Sequence, residues 1–255
     1  MKLCAAYTIF NGLELLDESI KQIKDHVDEI IICYQKVSNK GNESSEVAPM
    51  AAMMAIKHKA TLIEFVPNLS INTKENEINK HNLMLSGARE LGCSHFLLLA
   101  TDHYFKKDEF VSAKNFCEQH GVDLSFTQMY TYYKKPEWQL TPIETYVMPF
   151  ILKIKENTKY QRHISYPAYT DPSVQTPPDG ICCTFDERQI MMHHYSMIRS
   201  DIKNKFNNAA ASIRWSEEDR KRFISEYENY DLQVNNGISY FGGRKIKEVP
   251  NYFGI

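Results

Sequence analysis

Apolar positions in this chain form short runs of strand length, separated by segments in which they recur every three to four residues. That alternation predicts strands and amphipathic helices in turn. Leu3–Ile9 is the first apolar run, ending at the turn signal Phe10-Asn11-Gly12. Leu13, Leu16, Ile20 and Ile23 then recur at helical spacing, with Glu14, Asp17 and Glu18 early and Lys21 and Lys24 late, as the helix dipole favours. A strand over 27–34, a polar loop over 36–45, a Met- and Ala-rich helix over 47–57 and a strand over 61–65 complete a β-α-β-α-β order. Such an order argues for a parallel sheet covered by helices.

Asn72 followed by Glu75 is a capping pair that opens the next helix, which Gly92 stops. Gly87 shares a face with Leu83 and Leu91, and its bare backbone predicts close approach to the sheet. The run Phe96-Leu97-Leu98-Leu99-Ala100 is a buried fourth strand that ends abruptly on Thr101-Asp102-His103-Tyr104. A helix capped by Asp108 follows. Beyond Asp123 the character changes, with aromatic-rich strands over 124–133 and 146–154. Between 157 and 178 periodicity fails and prolines stand at 167, 172, 177 and 178, which predicts an irregular excursion or a flexible acceptor loop. Short strands over 181–185 and 190–195, helices over 196–206 and 216–227, and a loop or tail containing Gly242-Gly243 and Tyr252-Phe253 close the chain.

Composition narrows the function classes. A chain of 255 residues with 43% hydrophobic and 24% charged residues has the makeup of a soluble globular protein of one large domain or two small ones. A net charge of -2 gives no basic footprint for nucleic acid. The 6 cysteines lack paired C-x-x-C spacing and mostly lie in apolar runs, so reduced, buried thiols are expected. No apolar run approaches the roughly 18 residues of a membrane span, and Met1-Lys2-Leu3 carries no cleavable signal pattern. A cytoplasmic protein without a transmembrane segment is the expectation.

Three strand ends carry polar tips: Thr8 to Asn11, Thr101 to Tyr104, and His193-His194-Tyr195. In open α/β sheets ligands sit outside the carboxyl ends of the strands, which brings the first two together. A carboxylate with an imidazole suits Mg or Mn. The structural alternative is plain as well: Asp102 as a turn former and the histidines as hydrogen-bonded core groups. Adjacent histidines on a strand point to opposite faces, so at most one of His193 and His194 serves a given site. Lys203 and Lys205, near His194 in sequence, gain a role only if that site is real, since a diphosphate leaving group needs cationic neighbours. Lys134-Lys135 reads as a solvated turn, and Tyr130, Tyr132, Tyr133 and Trp138 read as core more readily than as a stacking platform. The basic run Lys153, Lys155, Lys159, Arg162 and His163 reads as a solvated face.

The stretch 93–105 resembles the core of family-2-like glycosyltransferases of the GT-A fold, in which a strand ends in an Asp-x-Asp motif. The opening strand, helix and second strand, the segment Asn79-Lys80-His81-Asn82, and the segment from His193 to Asp201 with Lys205 are similar to that family in order and spacing. The likeness covers roughly residues 3–210. It implies an α/β, Rossmann-like, mostly parallel sheet flanked by helices, with a strand- and loop-rich acceptor half. It implies a domain over 1–210, split into a nucleotide-sugar-binding half (1–122) and an acceptor half (123–210), with a helical extension and tail over 211–255. The activity implied is transfer of a sugar from a nucleoside-diphosphate donor, UDP-linked, to a hydroxyl, assisted by Mn or Mg on Asp102, His194 and His103. Tyr7, Thr8, Asn11, Lys80, Asn82, Thr101 and Lys205 would hold the donor. An acceptor-activating carboxylate would come from Glu144, Asp171, Asp179 or Glu187, with Glu144 and Asp179 put beside Asp102 as catalytic candidates. Retention or inversion stays open. So does the acceptor: a glycan, a lipid carrier, a protein or a modified nucleic-acid base.

One departure stands out. Ala100 occupies the place of the first motif acid, and Asp102 that of the second. The competing reading is therefore a non-catalytic module that binds a nucleotide sugar or an acceptor, and a metal-independent enzyme is a third. A nucleotidyltransferase lacks support, because no Gly-rich phosphate loop follows the first strand.

Overall fold

The parity of strand residues decides which helices cover which side of the sheet. In the computed structural model, which describes residues 1–208, 215–239 and 243–255, strands β1 (Leu3–Ile9), β2 (Glu29–Tyr34), β3 (Thr61–Glu64) and β4 (His95–Ala100) form a parallel core in the order β3-β2-β1-β4. Leu3, Ala5 and Tyr7 of β1 face α1 (Leu13–Ile23), α2 (Val47–His58) and α4 (Lys107–Gln119), through Leu16, Ile20, Ala51, Phe110 and Ala113. Cys4 and Ala6 face α3 (Thr73–Glu90) through Met84, Leu85 and Ala88. The α/β core with helices on both faces is the architecture the sequence pattern predicts.

The second half is mixed. Beyond β4 the sheet continues through β8 (Met148–Lys153), antiparallel to β4, then β6 (Leu124–Tyr133) and β7 (Trp138–Thr141). A short β5 (His103–Tyr104) follows the turn at Thr101 and Asp102. Between β6 and β5 runs β10 (Met191–Met197), parallel to β6 and antiparallel to β5, and β9 (Cys182–Thr184) joins β6 lower down.

Several elements differ from the sequence reading: β5 and β7 are additional strands, and α4 begins at Lys107, so Asp108 lies inside its first turn instead of capping it. The helix expected over 196–206 begins at Ile202 as α5 (Ile202–Asn208), because β10 continues to Met197 and its aromatic side chains stack on β6. The expected tail contains β11 (Lys245–Glu248), which pairs antiparallel with β7. Its two-residue alternation is too short and too charged to signal a strand without its partner. Helix α6 (Glu217–Glu228) starts at the expected cap, where Ser216 and Asp219 form a reciprocal capping box. The division expected at 210/211, and Gly242, lie outside the described residues.

The proline-rich excursion is irregular but pinned. Asn82 holds the backbone of Tyr160 from both ends of its amide, at 3.0 and 2.7 Å, and His81 Nδ1 lies 2.9 Å from the Ser173 carbonyl. Lys74 meets Asp171 at 2.9 Å, and the Tyr169 carbonyl accepts from the Val147 amide. The excursion thereby lies across α3. Among the described residues no helix is long and apolar enough to cross a membrane.

Gly87 shows how closely α3 approaches the sheet. A Cβ there would stand 2.9 Å from Ile63 Cδ1 and 3.2 Å from Ile31 Cδ1. Gly87→Val should overpack this contact and cost about 1–3 kcal/mol. Urea unfolding would show it as a lower midpoint with an unchanged slope, and an unchanged midpoint would contradict the close approach.

Candidate active site

Asp102 sits in the turn between β4 and β5, and its backbone carbonyl accepts the Tyr195 amide of β10 at 2.9 Å. The same pairing sets His194 opposite His103. Because the side chains of β10 alternate, His194 faces the cleft while His193 turns away into aromatic packing. His193 Nδ1 lies 2.6 Å from the Tyr132 hydroxyl, and Phe253 and Tyr252 pack against its ring. The two-sidedness expected of this histidine pair is thus realised.

Asp102 is 2% exposed and gathers four neighbours. Its Oδ2 accepts from the Arg199 guanidinium and lies 3.5 Å from Lys205 Nζ. Among the described residues its Oδ1 has no hydrogen-bond partner, and it lies 3.8 Å from His103 Nε2 and 3.9 Å from His194 Nε2. Burial by itself would raise the Asp102 carboxyl, and the Arg199 and Lys205 charges more than reverse this, holding it well below the usual carboxylate range. Burial drives His194 down to about 3 and lowers Lys205 as well. At neutral pH the site therefore holds a carboxylate and an uncharged imidazole.

Gly12 makes the Arg199 contact possible. This residue precedes α1 with φ 71°, and a Cβ on it would stand 2.8 Å from Thr101 Oγ1 and 2.9 Å from Arg199 Cζ. The segment that follows Arg199 is tied to α1 as well, since Ser200 donates through its amide and its hydroxyl to Glu14.

Buried Asp102 and His103 with the half-buried His194 form a group that could hold a metal ion, its ligand atoms all within 4.8 Å of one another. The three are not equivalent. His103 Nδ1 accepts the Ala100 amide at 3.2 Å, which places its ring proton on Nε2, the nitrogen that faces Asp102. Ligation through His103 would need the other tautomer and the loss of that bond. Asp102 Oδ1 and His194 Nε2 are without such competition and fit a divalent ion.

These groups line a cleft of about 870 Å³. Thr8, Asn11 and Thr101 line it, as the strand-end argument expects, together with Lys80 and Lys205. Lys80 is buried, donates to Gln35 Oε1 at 2.9 Å, and is pushed below the usual lysine range by burial. Gln35, Ser38 and Asn39 extend this wall beyond the end of β2.

Other sequence candidates lie elsewhere. Tyr7 is fully buried under α1, with its hydroxyl 3.4 Å from Ser19 Oγ, and does not line the cleft. Asn82 is occupied by Tyr160. Glu144 accepts from Thr131 at 2.9 Å and from Arg244, outside the cleft lining. Asp179 is an exposed partner of Lys155, and Glu187 does not line the cleft either. Of the four carboxylates considered for acceptor activation, Asp171 alone lines the cleft. Arg199 had no signal of its own in the sequence. It follows the end of β10, where neither alternation nor helical spacing marks a side chain's direction.

No protein-family model and no curated protein matches the chain. Among solved structures it is similar to residues 1–349 of S. aureus TarS in complex with UDP, at 10% identity and a TM-score of 0.48, over 94% of this chain and 76% of that one. It is similar to the same protein in complex with UDP-GlcNAc at 14% identity and a TM-score of 0.39, over 53% of this chain and only 36% of that one. A third likeness is to mannose-1-phosphate geranyltransferase from Thermus thermophilus, at 13% identity and a TM-score of 0.33, over 60% of this chain and 50% of that one.

The Arg199–Asp102 pair is buried on both sides. Removing one partner of such a pair leaves an uncompensated charge, at a cost of about 3–5 kcal/mol. Arg199→Met should fall near the lower end, since Lys205 remains, and Asp102→Asn in the same chain should recover part of the loss. Urea unfolding of the two single variants and the double variant measures the coupling, and additive losses would mean that the pair is not coupled.

Proposed function

We propose that the protein is a glycosyltransferase that moves a sugar from a nucleoside diphosphate, UDP in this reading, to an acceptor hydroxyl. One observation carries the proposal: His194 from the middle of β10, Arg199 just beyond that strand and Lys205 of α5 converge on Asp102 at the carboxyl end of β4, over a cleft whose other wall runs along the ends of β1 and β2. The resemblance of the sequence to family-2-like glycosyltransferases supports the same assignment. Gln35, Asn39 and Lys80 supply hydrogen-bonding groups for the nucleoside, and Thr8 and Asn11 stand at the mouth of β1.

Arg199 and Lys205 face the charge that develops on the diphosphate as it leaves. A divalent ion, Mn or Mg, held by Asp102 and His194 would add positive charge at the same oxygens. The acceptor oxygen attacks the anomeric carbon as the bond from that carbon to the diphosphate oxygen breaks, and the diphosphate keeps the bonding electrons. The proton of the acceptor hydroxyl goes to the Asp171 carboxylate. A base in this role implies inversion at the anomeric carbon. Burial would raise the Asp171 carboxyl, but Lys74 and the donors of Ser173 outweigh it and hold it below the ordinary range, so it is ionised at neutral pH.

Isothermal titration tests the donor site. UDP should bind more tightly with Mn than without it, and Asp102→Asn or His194→Ala should abolish the increment. A protein that binds no nucleoside diphosphate under either condition refutes the reading. Binding with neither hydrolysis nor transfer from a panel of nucleotide sugars would favour a binding module.

Asp171→Asn should lower kcat about 100-fold or more while leaving UDP affinity intact. The lysine cation depresses the Asp171 pKa, so Lys74→Met should raise it. The acid limb of the pH–rate profile should then move to higher pH, and a limb that stays in place would exclude Asp171 as the base.

A further inference from the structure

The two ends of the sheet are finished differently. At one end β11 carries Lys245, Lys247 and Glu248, charges of the kind that keep an open edge from pairing. At the other end β3 has no neighbour beyond β2 among the described residues, and Thr61, Leu62 and Ile63 stand there without a charge. Phe65 donates its amide inward to the Tyr34 carbonyl at 2.8 Å. By the alternation of a strand, Leu62 and Glu64 therefore turn their amides and carbonyls outward, to the open edge.

Helix α2 packs across β2 and β3 and is apolar around its whole circumference from Val47 to Ile56. A helix of that kind is ordinarily enclosed on all sides. Here Val47, Ala51, Met54 and Ala55 are buried, whereas Ile56 is 81% exposed and Met53 53%. Lys57 and His58 tie α2 to Asp17 of α1. Helical spacing puts Ala48, Ala52 and Ile56 on the opposite face, toward the open edge. Leu62 shares that side of the sheet, since it pairs in register with Ile32, which packs with the buried residues of α2.

We propose that the outer edge of β3 and the adjoining face of α2 bind a second copy of this chain, β3 pairing antiparallel with β3 across a two-fold axis at Leu62. The proposal does not rest on the transferase reading. One arrangement satisfies both surfaces. With Leu62 opposite Leu62, the outward amides and carbonyls of the two residues bond to each other, and each Glu64 amide reaches the Ala60 carbonyl of the other copy. The axis is perpendicular to the sheet, so both α2 helices lie on the same face of the joined sheet. They stand two strand spacings apart, about 10 Å, which is the separation of packed helices. Charge agrees as well: the exposed Lys59 precedes β3 and Glu64 ends it, so antiparallel pairing sets each Lys59 beside the Glu64 of the other copy, where parallel pairing would set like charges together. A bound peptide strand would cover the edge of β3 and leave Ile56 in water. A second copy covers both, and its cleft opens at the opposite edge of the joined sheet.

The test is sedimentation velocity of the full chain over a range of concentrations, with far-ultraviolet circular dichroism to confirm folding. The unaltered protein should sediment as a dimer that dissociates on dilution. Leu62→Pro removes an outward amide and spares the inward ladder, so it should raise the dissociation constant about tenfold or more. Ile56→Lys, on the exposed helix face, should weaken the dimer without touching the strand. Leu62→Cys, in a chain that also carries Cys182→Ser, should cross-link to itself under diamide, since Cα atoms about 5.5 Å apart in such a pair suit a disulfide. A protein that stays monomeric at every concentration overturns the proposal. So does a dimer indifferent to both Leu62→Pro and Ile56→Lys, or one in which Leu62→Cys fails to cross-link. A monomer that binds an added extended peptide at this edge, and loses it with Leu62→Pro, would assign the surface to another occupant and overturn it too.

Discussion

The ion pair between Asp102 and Arg199 is the constraint around which the cleft end of this molecule is arranged. A carboxylate this deeply buried is tolerated only with a partner, and the partner must come from a segment about a hundred residues away. That requirement draws in three distant parts of the chain. The turn after β4 carries Asp102, the strand β10 holds its backbone and delivers His194, and the chain beyond β10 swings back so that Arg199 and Lys205 reach the carboxylate. Gly12 is the fourth contributor, since any side chain at its position would occupy the space of the guanidinium.

The topology explains why one cleft can have two chemically different ends. The parallel core presents the ends of β1, β2 and β4 on one edge, as any such sheet does. The mixed half adds β10 beside β5, so that an imidazole from late in the chain stands over the same edge. Meanwhile the excursion before β9 is carried over α3 and fastened there by His81, Asn82 and Lys74. An anion-attracting end and a carboxylate-bearing wall thus share one volume, and they are built from segments that fold onto opposite parts of the sheet.

The parts legible in the sequence were those set by local periodicity. The β-α-β-α-β opening, the capping of α3 by Asn72, the close approach at Gly87 and the opposed faces of His193 and His194 all follow from spacing and side-chain size. The candidate site was legible where a residue sits at a strand end, as Thr8, Thr101 and Asp102 do; His194 lies in the middle of β10 and reaches the cleft through side-chain alternation. It was not legible where long-range pairing decides the outcome. Arg199 gave no periodic signal, β11 exists only because β7 offers an edge, and Asp171 could not be separated from Glu144 or Asp179 until the excursion was seen lying across α3. Tyr7 and Asn82 show how sequence position and side-chain direction diverge. Both lie close in sequence to groups that line the cleft, yet Tyr7 points into the core and Asn82 spends its amide on Tyr160.

Ala100 in place of an acid takes on a physical sense in this setting. With a second carboxylate beside Asp102 the pocket would carry two negative charges against Arg199 and Lys205, close to neutrality. With alanine it holds one carboxylate against two cations, and both nearby imidazoles are uncharged. Such a pocket is set to receive an anion and is correspondingly unfavourable to a divalent cation arriving alone. In the proposed reading a diphosphate would reverse that balance, since its own charge would offset Arg199 and Lys205 and leave Asp102 Oδ1 and His194 Nε2 free to hold a divalent ion. On this charge balance, and in the proposed reading, alanine at position 100 would weaken metal binding in isolation but not metal binding alongside a nucleoside diphosphate.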